Sequence, residues 1–191
     1  DVCFERLTVD VTTFGGRLDK IVGDELVALF GAPVAHEDDA ERAVRAALRM
    51  QESLASVATE IAVAVQMRVG INTGEVLVGA MRTGGDATVM GDVVNTASRL
   101  ESLAGPGEVI VGAATYAATR DTIAYEALVL LSIRGRDEPV EAYRAMRTLA
   151  PPGRRRQRGR TALVGRDAEV GALRHMVKLV HARRRSQLVL L

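Results

Sequence analysis

Two pairs of residues have types and spacings suited to a phosphorylated ligand. The first is Lys20 and Asp24, four apart in LDKIVGDELVALF, with Gly23 directly before the aspartate. Residues 17–22 and 25–30 are β-rich arms, and a two-residue Gly-Asp connection between them predicts a hairpin, because glycine tolerates the positive φ such turns need. A lysine interrupting an apolar arm and a carboxylate at the strand tip could together serve something both anionic and metal-bound. The alternative is a solvated turn with a surface lysine. The second pair is Asn95 and Arg99, also four apart, which share one face of a helix opened by Gly91-Asp92. An amide and a guanidinium near a helix start could hold phosphate oxygens; the other reading pairs Arg99 with a nearby acid such as Glu101. With 3 scattered His and 1 Cys there is no zinc set, so any metal would be held by carboxylates, which suits Mg²⁺ or Mn²⁺.

The elements that must position these residues can be read from periodicity. Phe4, Leu7, Val11 and Phe14 recur at helical spacing, so a helix is under way at the first residue and stops at Gly15-Gly16. After the hairpin, GAPVAHEDD is a loop in which His36 is a plain loop residue. The next helix has Glu37, Asp38 and Asp39 in its first turn, where the dipole favours negative charge. Ala40, Ala43, Val44, Ala47, Leu48 and Leu54 form its apolar stripe. Residues 62–71 read as a mostly buried strand, turned by Thr73-Gly74-Glu75 into residues 76–81 as a second hairpin. Residues 82–86 are a loop, followed by a short strand and then the helix of Asn95 and Arg99, with Val93, Val94, Ala97 and Leu100 inward. A strand in GPGEVIVG, a short helix in AATYAATR, and strands over 122–133 and 138–146 complete the order. Several hairpins with one strong βαβ crossover predict an α/β (α+β) sandwich on a mixed or antiparallel sheet.

Composition narrows the function. No run of about 18 apolar residues exists, which excludes a membrane-spanning helix, and no signal-peptide pattern opens the chain. The lone Cys3 excludes a disulfide framework and fits a reducing cytoplasm. Aromatics are 3% with no Trp, which argues against stacking platforms for single-stranded nucleic acid. Residues 1–150 carry 14 basic and 22 acidic residues, a net of −8; residues 151–191 carry 11 and 2, a net of +9. The shift falls at Pro151-Pro152-Gly153 and RRRQRGR, which read as a solvated linker. Neither GxxxxGK[ST] nor GxGxxG is present in the 191 residues.

Four segments in order, LDKIVGDELVALFGAP, RVGINTGEVLVGAM, TVMGDVVNTASRLE and IRGRDEPVEAYR, resemble the class III nucleotidyl cyclase catalytic domain over nearly all of residues 1–147. The resemblance implies a ferredoxin-like βαββαβ core with extra strands, here lacking its first strand and helix. It implies an adenylate cyclase in which the ribose 3′-hydroxyl of ATP attacks the α-phosphorus to give cyclic AMP and pyrophosphate, with two divalent cations (Mg²⁺ or Mn²⁺). Asp24 matches the second metal aspartate; the first belongs to an upstream strand, so these residues alone are expected to be inactive. Lys20 and Thr88 match the purine selectors. An ammonium can donate to adenine N1 and a hydroxyl can accept from the adenine amino group, whereas guanine would prefer a glutamate at the lysine position. Asn95 and Arg99 match the ribose-orienting and phosphate-stabilising pair, and Arg134 or Arg136, with Arg134 the better match, stands where a lysine usually holds the terminal phosphates.

The same resemblance implies a homodimer with sites between subunits, so that Lys20 and Asp24 of one chain serve different sites. Residues 1–148 are then the cyclase domain and 149–161 a basic linker. Residues 162–191, with LVGRDAEVGALR and SQLVLL, resemble the start of an ATPase domain that stops before its P-loop; His175 and His181 there are surface residues. Two other substrate or function readings stand beside this one. One is GTP as the substrate. The other is a non-catalytic nucleotide-sensing or dimerisation module that controls a fused ATPase or a DNA-binding partner. An RNA-binding ferredoxin-like domain would share the core topology, but aromatic ribonucleoprotein motifs are lacking and residues 1–150 are net acidic.

Overall fold

The computed structural model describes residues 2–79, 88–128, 141–151 and 165–183. These fall in two units, Asp1–Arg156 and Gln157–Leu191. The first unit contains α1 (Val2–Thr13), β1 (Arg17–Val22), β2 (Glu25–Leu29), α2 (Asp39–Ile61), β3 (Val69–Ile71), β4 (Leu77–Gly79), β5 (Thr88–Met90), α3 (Asp92–Leu103), β6 (Val109–Gly112), α4 (Ala113–Thr119), β7 (Ile123–Ala127) and β8 (Ala142–Thr148). The second unit contains α5 (Asp167–Arg183), whose first turn is braced by Arg166 against Glu169 at 3.2 Å. His175 on α5 is exposed. Among the described residues no helix is long and apolar enough to cross a membrane.

The central sheet has strand order β3-β6-β8-β7 and is mixed: β3 runs parallel to β6, while β6–β8 and β8–β7 are antiparallel. Its strands alternate between two cores, as the period of two in a pleated strand requires. On one face Val69, Ile71, Val109 and Val111 pack with Val44, Ala47 and Leu48 of α2 and Tyr116 of α4. On the other, Ile110 and Ala142 pack with Leu100 and Ala104 at the end of α3. A third cluster, Leu7, Val11 and Met50 with Leu26, Ala28 and Phe30, seats the β1–β2 hairpin on α1 and α2. The mixed α/β sandwich expected from the sequence is the observed architecture.

Three local expectations are corrected. α2 continues to Ile61, and Ala62 ends it in the left-handed region at φ 54°. The strand read over 62–71 is therefore only β3. Residues 62–68 form no ladder, and Val63 is 55% exposed; apolar content alone does not make a strand where no neighbouring strand pairs along the segment. The second hairpin is absent as well, because β3 pairs with β6 whereas β4 pairs with β5 in a separate two-stranded sheet. Finally, α2 begins at Asp39, with Asp38 as its N-cap and Asp39 and Glu41 as the acids of its first turn, so Glu37 precedes it. The expected loop over 82–86, the basic linker beyond Pro151 and the terminal SQLVLL all lie outside the described residues, as do residues 129–140 between β7 and β8.

The three tyrosines of the chain meet on the α2/α4 face. Tyr116 stacks on Tyr143 with ring centroids 3.8 Å apart and meets Tyr125 edge-on at 5.3 Å. Burial pushes the Tyr125 phenol up to about 12, against the smaller opposing effect of its hydrogen bond with Thr119. Below pH 10 the phenol is neutral in both folded and unfolded chains. Between about 10 and 12 the unfolded chain loses the proton while the folded one retains it, so stability falls across that window, by roughly 3 kcal/mol. Urea denaturation from pH 9 to 12 is expected to lose this component in Tyr125→Phe; an unchanged slope would refute the assignment.

Candidate active site

The hairpin forms as expected, with Gly23 at φ +64° and Val22 opposite Glu25. Lys20 and Asp24 are both exposed. A bulge lies between Leu18 and Lys20, where the register shifts. An extra residue in one strand breaks its alternation and re-aims the side chains beyond it. Here Lys20, Ile21 and Val22 all emerge, Ile21 at 46% and Val22 at 59% exposure. The bulged residue, Asp19, goes the other way. Its carboxylate is 2% exposed, lies 3.8 Å from Arg17 Nη2, and accepts no hydrogen bond at either oxygen. The sequence reading passed over Asp19, and only the bulge distinguishes it from a surface acid.

β5 brings the next parts together. Thr88 opens it, opposite Gly79 of β4, and the strand lies alongside β1, which carries Lys20. One residue beyond its end, Gly91 turns the chain at φ +149° into α3. That backbone region is close to glycine-only, so the strand-to-helix corner depends on this residue. The carbonyl of Gly91 accepts the first helical hydrogen bonds, from Val94 N at 3.1 Å and Asn95 N at 3.4 Å.

Along α3, residues 93, 97 and 101 are each four apart and form one stripe, while 95 and 99 sit about 160–200° around the helix from it. The first stripe faces β3. A methyl group on Gly70 would overlap the carbonyl oxygen of Ala97 and the amide nitrogen of Glu101, so strand and helix backbones meet directly there. The Glu101 carboxylate pairs with Arg68 at 3.0 Å rather than with Arg99, the partner that the alternative reading of Arg99 would give it. Asn95 is exposed and Arg99 half-buried, and neither side chain forms a hydrogen bond or ion pair with another described residue. Arg134 lies outside the described residues, and nothing is placed around it.

A divalent cation of the Mg²⁺ or Mn²⁺ type takes hard oxygen ligands, often one or two carboxylates together with substrate phosphates and water. Asp24 fits one of those positions: its carboxylate stands at an exposed turn with no cation paired to it among the described residues. No cluster of three or more His, Cys, Asp or Glu able to enclose an ion exists among the described residues.

Sequence reasoning also missed Asn72. Its Nδ2 donates to the carbonyl of Val93 at 3.3 Å, and Thr73 Oγ1 beside it shares a 2.8 Å hydrogen bond with Thr115 Oγ1 on α4. The signal was available in Arg68-Val69-Gly70-Ile71-Asn72, where polar or small residues alternate with apolar ones. That is the mark of a strand with two different neighbours.

This α/β domain, with an open lysine-bearing hairpin beside a helix that presents an asparagine and an arginine, has counterparts of known type. The model for the adenylate and guanylate cyclase catalytic domain matches residues 8–146. Adenylate cyclase 1 of Rhizobium meliloti is 30% identical over 148 residues, 73% of this chain and 22% of that protein. The chain thus spans less than a quarter of that relative's length. Among solved structures, the adenylyl cyclase CyaB from P. aeruginosa is similar with a TM-score of 0.73 at 29% identity, covering 76% of this chain and 79% of that one. The guanylyl cyclase Cya2 is similar with a TM-score of 0.75 at 30% identity, covering 80% of each chain. The chain belongs to the adenylate and guanylate cyclase catalytic domain family.

Proposed function

We propose that this domain is an adenylate cyclase that converts ATP to 3′,5′-cyclic AMP and pyrophosphate. The observation that carries the reading is the Asn95–Arg99 face of α3, with Asn95 exposed, Arg99 half-buried and both side chains unpaired among the described residues, joined through β5 to the strand that presents Lys20. In this reading Lys20 donates to adenine N1 and Thr88 accepts from the adenine amino group. Asn95 orients the ribose so that its 3′-hydroxyl lies in line with the α-phosphorus. Arg99 stabilises the charge that builds on the phosphoryl oxygens as the new bond forms and pyrophosphate leaves. Arg134 holds the terminal phosphates; an arginine there keeps the charge of a lysine with a forked geometry. Two divalent cations, when bound, supply neutralisation of the phosphates and a more acidic 3′-hydroxyl. Asp24 would hold them together with a second carboxylate from a preceding strand. The outer edge of β3, which has no strand partner among the described residues, supports a place for such a strand.

Two copies of the chain form the working unit, with Lys20 and Asp24 of one copy serving different sites. The domain works in the cytoplasm and is linked through residues 149–161 to an ATPase domain that begins at 162.

The test is the full-length protein with Mn²⁺ and either ATP or GTP, with products identified by mass spectrometry. Cyclic AMP is expected to predominate. Lys20→Glu combined with a substitution at Thr88 is expected to move the ATP/GTP preference towards GTP by about tenfold or more, since a polar pocket discriminates strongly against a mispaired edge. An unchanged ratio would remove Lys20 as the selector, and absence of any cyclic nucleotide would overturn the reading as a whole.

A further inference from the structure

Arg68, Gly70 and Asn72 alternate along one side of β3 and its approach, and each meets α3 at a different height. Arg68 pairs with Glu101, Gly70 abuts the backbone at Ala97 and Glu101, and Asn72 donates to Val93 O. The strand thus runs antiparallel to the helix and touches it from its third turn to its first. The upper contacts are an exposed ion pair and a steric stop. Neither fixes rotation at the helix start, where Asn95 sits. Asn72 does: its amide is wedged between α3 and β6, because a methyl group on Gly112 would lie 2.6 Å from Asn72 Oδ1. The neighbouring hydroxyl of Thr73 is held by Thr115, which is fully buried. Gly74 closes against the Val93 side chain, 2.7 Å from where its own methyl group would be.

Rotating α3 by a single residue would swing Arg99 by about 100°, taking it off the nucleotide side. We propose that Asn72 is a positioning residue that fixes the rotation and height of α3, so that Asn95 and Arg99 face the substrate. The inference rests on the cyclase reading only for what those two residues then do.

The test uses three variants of the full-length protein. Asn72→Asp keeps the shape and removes the N–H donor. Asn72→Ala removes the side chain. Asn72→His returns a ring nitrogen to the position of the amide as a donor. In the first two, kcat is expected to fall about tenfold or more, as misplacement of reacting groups by even 1 Å does, while KM stays within about twofold. The His variant is expected to recover most of the loss. In parallel, hydrogen exchange over residues 92–96 is expected to speed up in Asn72→Asp while that of α2 is unchanged. Wild-type kcat, a change in KM alone, or unaltered exchange at the start of α3 would each overturn the proposal; so would equal loss of protection in α2 and α3, which marks general destabilisation. If wild type forms no cyclic nucleotide, the cyclase reading fails separately, and the exchange comparison still decides whether Asn72 sets the helix.

Discussion

Arg99→Ala is expected to lower cyclic AMP formation by the full-length protein by about 10²–10³-fold, or roughly 3 to 4 kcal/mol, the usual cost of removing one preorganised donor to a developing oxyanion. The loss should fall on kcat, since a charge that grows only in the transition state gains little from the guanidinium in the ground state. Folding should be almost unaffected, because Arg99 makes no ion pair or hydrogen bond with another described residue that its removal could break. Arg99→Lys should recover only part of the rate, since a point charge does not replace a planar fork. Unchanged turnover in Arg99→Ala, measured with saturating Mn²⁺ and ATP, would sink the assignment.

Gly70→Val is expected to be the most damaging single change outside the residues proposed to meet the nucleotide. Even the first carbon of a side chain there would overlap backbone atoms of Ala97 and Glu101, and backbone cannot rotate aside as a flexible side chain can. Either β3 leaves β6 or α3 leaves the sheet, and in the second case the packing of Leu100 on Ile110 goes with it. Overpacking of this kind costs about 1–3 kcal/mol. Displacing α3 by about 1 Å adds a rate loss near 10²-fold. Urea midpoints and kcat measured together check both, and wild-type values for Gly70→Val would mean that the strand and helix are not in direct contact. The smaller Gly70→Ala should show the same two effects at reduced size.

Most elements were legible because each carries its own local signal. The stripe of α2, the stop at Gly15-Gly16 and the Gly-Asp turn depend on residues next to one another in sequence. The partners of β3 were not legible. Three residues, Val69–Ile71, suit a hairpin or a parallel ladder equally, and the choice is made by β6, some forty residues later. The apolar stretch 62–68 misled for the related reason that apolar content reports a wish to be buried, not a ladder partner. Within the candidate site, Lys20, Asp24, Asn95 and Arg99 were visible as residue types at helical or hairpin spacing. Asp19 was not, since its burial comes from a bulge, and a bulge is a mismatch between two strands rather than a property of either. Asn72 was missed because an asparagine directly before Thr73-Gly74 reads as turn chemistry until the helix it holds is in place.

The tyrosine cluster has a practical consequence. The chain has 3 Tyr and no Trp, and all of its tyrosines lie on the α2/α4 face of the sheet. Its tyrosine fluorescence and the tyrosine band of its near-ultraviolet dichroism therefore report that face of the sheet. α3, with the catalytic pair of the proposed mechanism, packs on the other, where Leu100, Ala104, Ile110, Ala142 and Leu128 are optically silent. Loosening of α3 would pass unseen by either signal while the tyrosine face still gave a native spectrum. A single tryptophan introduced at the exposed Leu103, at the end of α3, would give that side a signal of its own.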